Sequence, residues 1–216
     1  NLLATIKILD FCKSNSSSLV YASSAAVYGN LDSADDLKSN VDLLSPYAAD
    51  KFVLEIYAGI SNKLYGLSSI GLRFFNVYGP RQDPKSNYSG VISIFIDRIL
   101  SGQGITIFGG EQTRDFIYVD DIVNLLSMSL VKVKEKIICE QVNALTGQSI
   151  SINDIANLLI DATGVETIKT YKDQFDGDPK QSNGTTQNME NFFGIDLGDM
   201  TKIKKGLNAT VKFIKQ

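Results

Sequence analysis

Apolar positions in the opening part of the chain follow two spacings in turn. Leu2, Leu3, Ile6 and Leu9 recur at helical intervals up to about Lys13, so the chain opens inside a helix. A polar break over 15–18 follows, and the run Leu19-Val20-Tyr21-Ala22-Ser23 reads as a short buried strand. Ser45 and Pro46 predict a helix start, with serine as N-cap and proline at the first helical position. That helix carries Ala49, Phe52, Val53, Ile56, Ile60 and Leu64 on one face and ends at Gly66. Residues 69–75 form the next strand, closed by the turn residues of 76–80. Helix, strand, helix, strand is the rhythm of a parallel α/β sheet.

Beyond Pro80 the pattern is less regular. Helices are predicted over 91–100, 120–131, 152–162 and 201–214, and strands over 105–108, 115–119 and 140–143. Residues 173–187 are polar and read as a loop. There is no internal repeat and no low-complexity segment. A domain boundary is expected near residue 80, dividing the chain into 1–80 and 81–216, with some later elements returning to the first sheet.

Composition narrows the function classes. The 216 residues, 44% of them hydrophobic, suffice for one full domain or one domain plus a smaller second. A net charge of −3 with no long basic run argues against a nucleic-acid binder. No apolar run approaches the roughly 18 residues of a membrane span. Cys12 and Cys139 lie in apolar surroundings without metal-ligand spacing, so buried, reduced thiols are expected, as suits the cytoplasm. The chain has no histidine. That excludes a Ser-His-Asp triad, a Cys-His pair and a His-rich zinc site, and leaves proton transfer to Tyr, Lys, Asp, Glu or Cys.

Tyr47 and Lys51 are four apart in the first turns of one predicted helix, so they share a face. A free tyrosine titrates near about 10, and a neighbouring ammonium stabilises its phenolate. Such a pair is a way to build a general base without histidine, although, taken alone, Tyr and Lys at this spacing are better explained as a solvated helix face. Ser24 lies at the carboxyl end of the first strand, where open α/β sheets bind ligands. Tyr47 begins the helix that follows that strand, and Asn76 ends the next one. Ser24 and Asn76 alone each have an ordinary explanation as turn residues. Their coincidence on one sheet edge argues for a site.

Three segments carry a resemblance: Val20-Tyr21-Ala22-Ser23-Ser24-Ala25-Ala26-Val27-Tyr28-Gly29, Pro46-Tyr47-Ala48-Ala49-Asp50-Lys51, and Leu72-Arg73-Phe74-Phe75-Asn76-Val77-Tyr78-Gly79-Pro80-Arg81-Gln82-Asp83-Pro84. With Thr113-Arg114-Asp115-Phe116-Ile117-Tyr118-Val119-Asp120-Asp121, they resemble the extended short-chain dehydrogenase/reductase family in its nucleotide-sugar 4-epimerase branch. The resemblance spans essentially the whole chain. It implies an α/β fold: the C-terminal half of a Rossmann-type parallel sheet over 1–80, plus a smaller α/β nucleotide-sugar-binding domain over 81–216. It also implies an NAD cofactor, a UDP-sugar substrate and a homodimer, with no resident metal.

The implied roles are specific. Tyr47 exchanges the proton of the sugar hydroxyl being oxidised. Lys51 holds the nicotinamide ribose and lowers the Tyr47 pKa, and Ser24 hydrogen-bonds the same sugar oxygen. The Phe75 backbone lies by the nicotinamide, and Asn76 contacts the substrate diphosphate. Thr106 and Phe108 line the uracil pocket, Arg114 supplies charge to the phosphates, and Asp178 binds the ribose.

Two departures qualify the resemblance. No glycine-rich dinucleotide fingerprint occurs in the chain, and Asn1 matches a position midway through the family's cofactor domain. The chain is therefore expected to be about the C-terminal two thirds of a longer protein. Near the other end, Phe175-Asp176-Gly177-Asp178 stands where many epimerases read Arg-x-Gly-Asp, so a phosphate-binding arginine is replaced by Phe175, and the clamp is expected to be either weaker or rebuilt, with Arg81 as a candidate. Ala25 and Ala26 decide the reaction type. Family dehydratases carry Asp and Glu there, and alanine neither donates nor accepts a proton. That favours 4-epimerisation through a transient 4-keto sugar. The alternatives are another epimerase, reductase or dehydratase of the family, or an inactive truncated fragment.

Overall fold

The computed structural model describes residues 2–38, 40–86, 88–175 and 177–216; Asn1 and Asp176 lie outside them. The chain divides into two compact units. The first comprises Asn1–Phe75, Val123–Ala144 and Gly184–Asp196, the second Asn76–Ile122, Leu145–Asn183 and Leu197–Gln216.

The first unit begins α1 (Leu2–Ser14), β1 (Leu19–Ser24), a 3₁₀ turn η1 (Ala25–Tyr28), α2 (Pro46–Tyr65) and β2 (Ser69–Phe74). The start of α2 is written in its sequence: the Ser45 hydroxyl accepts the Ala48 N–H at 3.1 Å and Pro46 occupies the first turn. Gly66 ends it in the left-handed region at φ 66°, where a side chain is unfavourable. β1 and β2 pair in parallel, joined by the α2 crossover.

Within the second unit follow β3 (Asn76–Tyr78), α3 (Val91–Leu100), β4 (Ile105–Phe108) and β5 (Thr113–Tyr118). The helix α4 (Val119–Glu135) then leads to β6 (Cys139–Ala144), which pairs in parallel with β2 and gives the first unit a β1-β2-β6 sheet. β7 (Ser149–Ser151), α5 (Ile152–Thr163), β8 (Lys169–Lys172) and β9 (Gln181–Ser182) complete the strands, before α6 (Gln187–Phe193) and α7 (Ile203–Ile214). In the second unit β5 is flanked by parallel β3 and antiparallel β7, with β9 alongside, and β4 pairs in parallel with β8. Its core joins Ile96 and Ile99 of α3, Ile105 and Ile107 of β4, and Ile155 and Leu159 of α5.

The parallel sheet of a mixed α/β protein is thus present as read. One correction concerns α2. The row of α2 that faces the sheet is Ala48, Lys51, Glu55 and Ala58, small or charged residues, whereas Ile56, Ile60 and Leu64 of the predicted apolar face are exposed. Residues 76–78, read as turn, form β3; the polar segment 173–187 contains β9. Both cysteines are free thiols, but only Cys12 is fully buried, with its pKa raised by that burial. No helix among the described residues is long and apolar enough to cross a membrane.

Candidate active site

The carboxyl end of β1 gathers the chemistry of the first unit. Ser24 is the last residue of the strand and the N-cap of η1, its hydroxyl oxygen accepting the Ala26 N–H at 3.1 Å. That bond does not engage the hydroxyl hydrogen, which can be donated elsewhere. Two residues earlier, the Ala22 carbonyl accepts a 2.8 Å hydrogen bond from Lys51 Nζ. The same ammonium lies 5.7 Å from the ring centroid of Tyr47, one turn back on α2. Tyr47 itself is 44% exposed, open to a ligand rather than packed away. Lysine and tyrosine are brought together at the strand end that carries the serine.

Phe75 closes the first unit. Its side chain is buried and its N–H donates to Ala144 O at 3.1 Å, continuing the β2–β6 ladder by one residue. A Cβ at Gly184 would stand 2.8 Å from the Phe75 ring and 2.9 Å from the Ala34 carbonyl, too close for any side chain without a shift.

In the second unit Asn76 opens β3, and its side-chain amide donates to Asp115 O at 2.9 Å. Asp115 is buried, accepts from the Thr146 N–H and hydroxyl, each at 2.9 Å, and its pKa is raised by burial. Thr106 and Phe108 lie on β4. The Phe108 ring stacks on Phe175, centroids 4.3 Å apart and planes 25° apart, with the Lys172 ammonium 5.9 Å from the Phe108 centroid. Arg114 donates to Asp178 at 2.5 Å and to the carbonyls of Thr113 and Pro179 at 2.8 Å. The two residues assigned to phosphate and ribose therefore form one ion pair. Arg81 has a left-handed backbone, φ 69°, and its guanidinium lies 6.0 Å from the Phe213 ring centroid.

The sequence reading passed over a buried polar network behind Ser24. Glu55 Oε1 accepts from Ser23 Oγ at 2.5 Å and from Arg73 Nε at 2.9 Å, and Oε2 accepts from Arg73 Nη2 at 2.6 Å. Arg73 Nη1 donates to Tyr28 OH at 2.7 Å, which donates in turn to Asn143 Oδ1 at 2.7 Å. Burial pushes the Tyr28 phenol up to about 12, only partly offset by Arg73. Burial alone would lower the Arg73 pKa, but the Glu55 carboxylate outweighs it and holds the guanidinium above its ordinary value. The sequence signal was weak: Glu55 stands one turn past Lys51 on α2, and charges at that spacing read as a solvated helix face.

Comparison with known proteins places this geometry in a family. The family model described as the NAD dependent epimerase/dehydratase family matches residues 1–144. A putative UDP-glucose 4-epimerase of Methanocaldococcus jannaschii is 42% identical over 165 residues, covering 74% of this chain and 52% of its own. The UDP-N-acetylglucosamine 4-epimerase of Methanobrevibacter ruminantium M1, solved in complex with UDP-N-acetylmuramic acid, superposes with a TM-score of 0.91 at 35% identity, over 100% of this chain and 68% of that one. The UDP-glucuronic acid 4-epimerase of Bacillus cereus, solved with UDP-glucuronic acid and NAD, gives 0.88 at 28% identity, over 100% and 67%. The present chain thus spans about half of the first relative and about two thirds of the two solved chains. It belongs to the NAD-dependent epimerase/dehydratase family.

Proposed function

We propose that the protein carrying this chain interconverts UDP-sugars epimeric at C4, with NAD as cofactor. The observation that carries the reading is Lys51, bonded to the end of β1 two residues before Ser24 and lying beside the Tyr47 ring. Tyr47, as phenolate, takes the proton of the C4 hydroxyl while C4 is oxidised, and returns it when the ketone is reduced from its other face. Lys51 balances the phenolate charge, and Ser24 donates its hydroxyl hydrogen to the C4 oxygen. NAD, when bound beside these residues, would supply the hydride-accepting and hydride-donating chemistry.

The donor set suits the nicotinamide end of that cofactor. The Lys51 ammonium has three hydrogens, one of them directed to Ala22 O, so others can reach a ribose. Phe75, ending the β2 ladder, brings backbone to the nicotinamide. No glycine-rich turn for the pyrophosphate occurs in the 216 residues, so this chain's share of the site is the ribose and nicotinamide. We assign that share to the first unit and the nucleotide sugar to the second. There Thr106 and Phe108 meet the uracil, Asn76 and Arg114 the diphosphate, and Asp178 the uridine ribose. Arginine suits the diphosphate because its planar fork binds phosphate oxygens in pairs. Phe175, stacked on Phe108, adds an apolar face beside it.

Ala25 and Ala26 argue for epimerisation over elimination. They begin η1 directly after Ser24, and neither side chain can protonate a C6 leaving group or remove a C5 proton. A homodimer is the assembly we favour: α1 packs on α2, and the pair exposes Leu3, Phe11, Ile56, Ile60 and Leu64, an apolar surface suited to a second copy. The unpaired thiols suit a cytoplasmic enzyme. Substituting Tyr47→Phe tests the assignment. Turnover of the UDP-sugar should fall by about 10²–10⁴-fold with unchanged melting temperature, and retention of more than half the activity would remove Tyr47 from the reaction.

A further inference from the structure

Three consecutive residues of β1 have different tasks. Ala22 O holds Lys51, Ser23 Oγ holds Glu55, and Ser24, whose oxygen caps η1, keeps its hydroxyl hydrogen for the substrate. Ser23 is also one member of a rung: it stands in register with Arg73 of β2, which stands in register with Asn143 of β6. All three side chains are buried. Glu55 reaches this rung from α2, one turn beyond Lys51 and two beyond Tyr47. Tyr28, bonded to both Arg73 and Asn143, is the last residue of η1, the turn that Ser24 caps. The network therefore grips the chain on both sides of Ser24 and grips α2 just behind its reactive pair.

A buried ion pair is a poor device for stability alone. Desolvating two charges costs about as much as their attraction returns, and an apolar pair of similar volume often serves as well or better. A fully hydrogen-bonded network does fix one arrangement. α2 needs such a fixture. Ala48 and Ala58 are too small to lock the helix by interdigitation, so its sheet-facing row is keyed mainly by Lys51 and Glu55.

We propose that Glu55 and Arg73 are positioning residues, which set how α2 presents Tyr47 and Lys51 to Ser24 at the end of β1. The inference rests on the reading of Ser24, Tyr47 and Lys51 as the reactive set. Neither Glu55 nor Arg73 touches substrate; each acts through the helix and the strand.

The test replaces the pair by an apolar one, Glu55→Leu with Arg73→Met, in the full protein that carries this chain. Melting temperature, UDP affinity, kcat and amide exchange at Ser45 and across the first turns of α2 after Pro46 are measured. A positioning role predicts near-native melting and UDP binding within twofold. It predicts kcat lower by about 10²-fold, the scale of a 1 Å misplacement, and faster exchange of the first α2 turns with β2 and β6 unchanged. Should the double variant fail to fold, Ser23→Ala removes one bond to Glu55 and leaves no unpaired charge. It should lower kcat by about 2–10-fold, the worth of one hydrogen bond, at constant KM. Wild-type kcat in the stable double variant, or in Ser23→Ala, would overturn the proposal, as would unchanged exchange in α2. If the wild-type protein does not turn over UDP-sugars, the reaction assignment fails, and exchange alone still decides whether the network sets α2.

Discussion

Removing the Lys51 charge is the perturbation whose magnitude the structure constrains best. In Lys51→Met the stem keeps its length and loses its ammonium. Coulomb's law at the 5.7 Å separation from the Tyr47 ring gives about 2.9 kcal/mol at an effective dielectric of about 20, and about 0.7 kcal/mol at about 80. Tyr47 is 44% exposed, so solvent screening places the value inside that range rather than at its top. Converted at about 1.36 kcal/mol per factor of ten, the loss of a phenolate-like transition state spans about 3-fold to about 100-fold in kcat. The bond to Ala22 O goes as well, a charge-assisted contact whose loss costs about 1.5–3 kcal/mol of stability. The assay is steady-state turnover of a UDP-hexose at saturating NAD, with thermal melting to confirm the fold. Lys51→Arg keeps the charge but not the compact ammonium, and should recover only part of the rate. A Lys51→Met enzyme within twofold of wild-type kcat would refute the reasoning, because the cation would then do nothing for the phenol.

Two other substitutions have outcomes set by the same structure. Asp178→Asn breaks the ion pair with Arg114 and weakens the proposed ribose contact; the KM for the UDP-sugar should rise by roughly tenfold to a hundredfold with kcat little changed, and calorimetry with UDP alone would show the same loss. Gly71→Ala puts a Cβ 2.5 Å from the buried Tyr21 ring, an overpacking that should cost about 1–3 kcal/mol in urea unfolding. The double variant with Tyr21→Val should regain part of that stability.

Local signals carried much of the fold. The Ser45–Pro46 start and Gly66 stop of α2 are short-range chemistry, and the structure uses each as the sequence advertises. β1 opens on the apolar run Leu19-Val20-Tyr21-Ala22, the form that a parallel buried strand takes, whereas β2 is buried although Ser69, Gly71 and Arg73 interrupt its apolar residues. What escaped is what depends on distant partners. β8, Lys-Thr-Tyr-Lys, is exposed throughout and exists because β4 pairs with it; β3 and β9 are too short to show a period. The three residues proposed as reactive were singled out by where they stand, Ser24 at a strand end and Tyr47 and Lys51 in the first turns of a helix. Glu55 and Arg73 were not, because a buried ion pair reads in sequence as two unrelated surface charges on a helix and a strand.

Proton NMR of the product mixture tests the central claim most directly. A UDP-hexose incubated with NAD and the full protein carrying this chain should give its C4 epimer, read from a shifted anomeric signal, with no other sugar formed. A new 6-methyl doublet, the mark of a 4-keto-6-deoxy product, would contradict the account. It would mean that elimination proceeds despite Ala25 and Ala26.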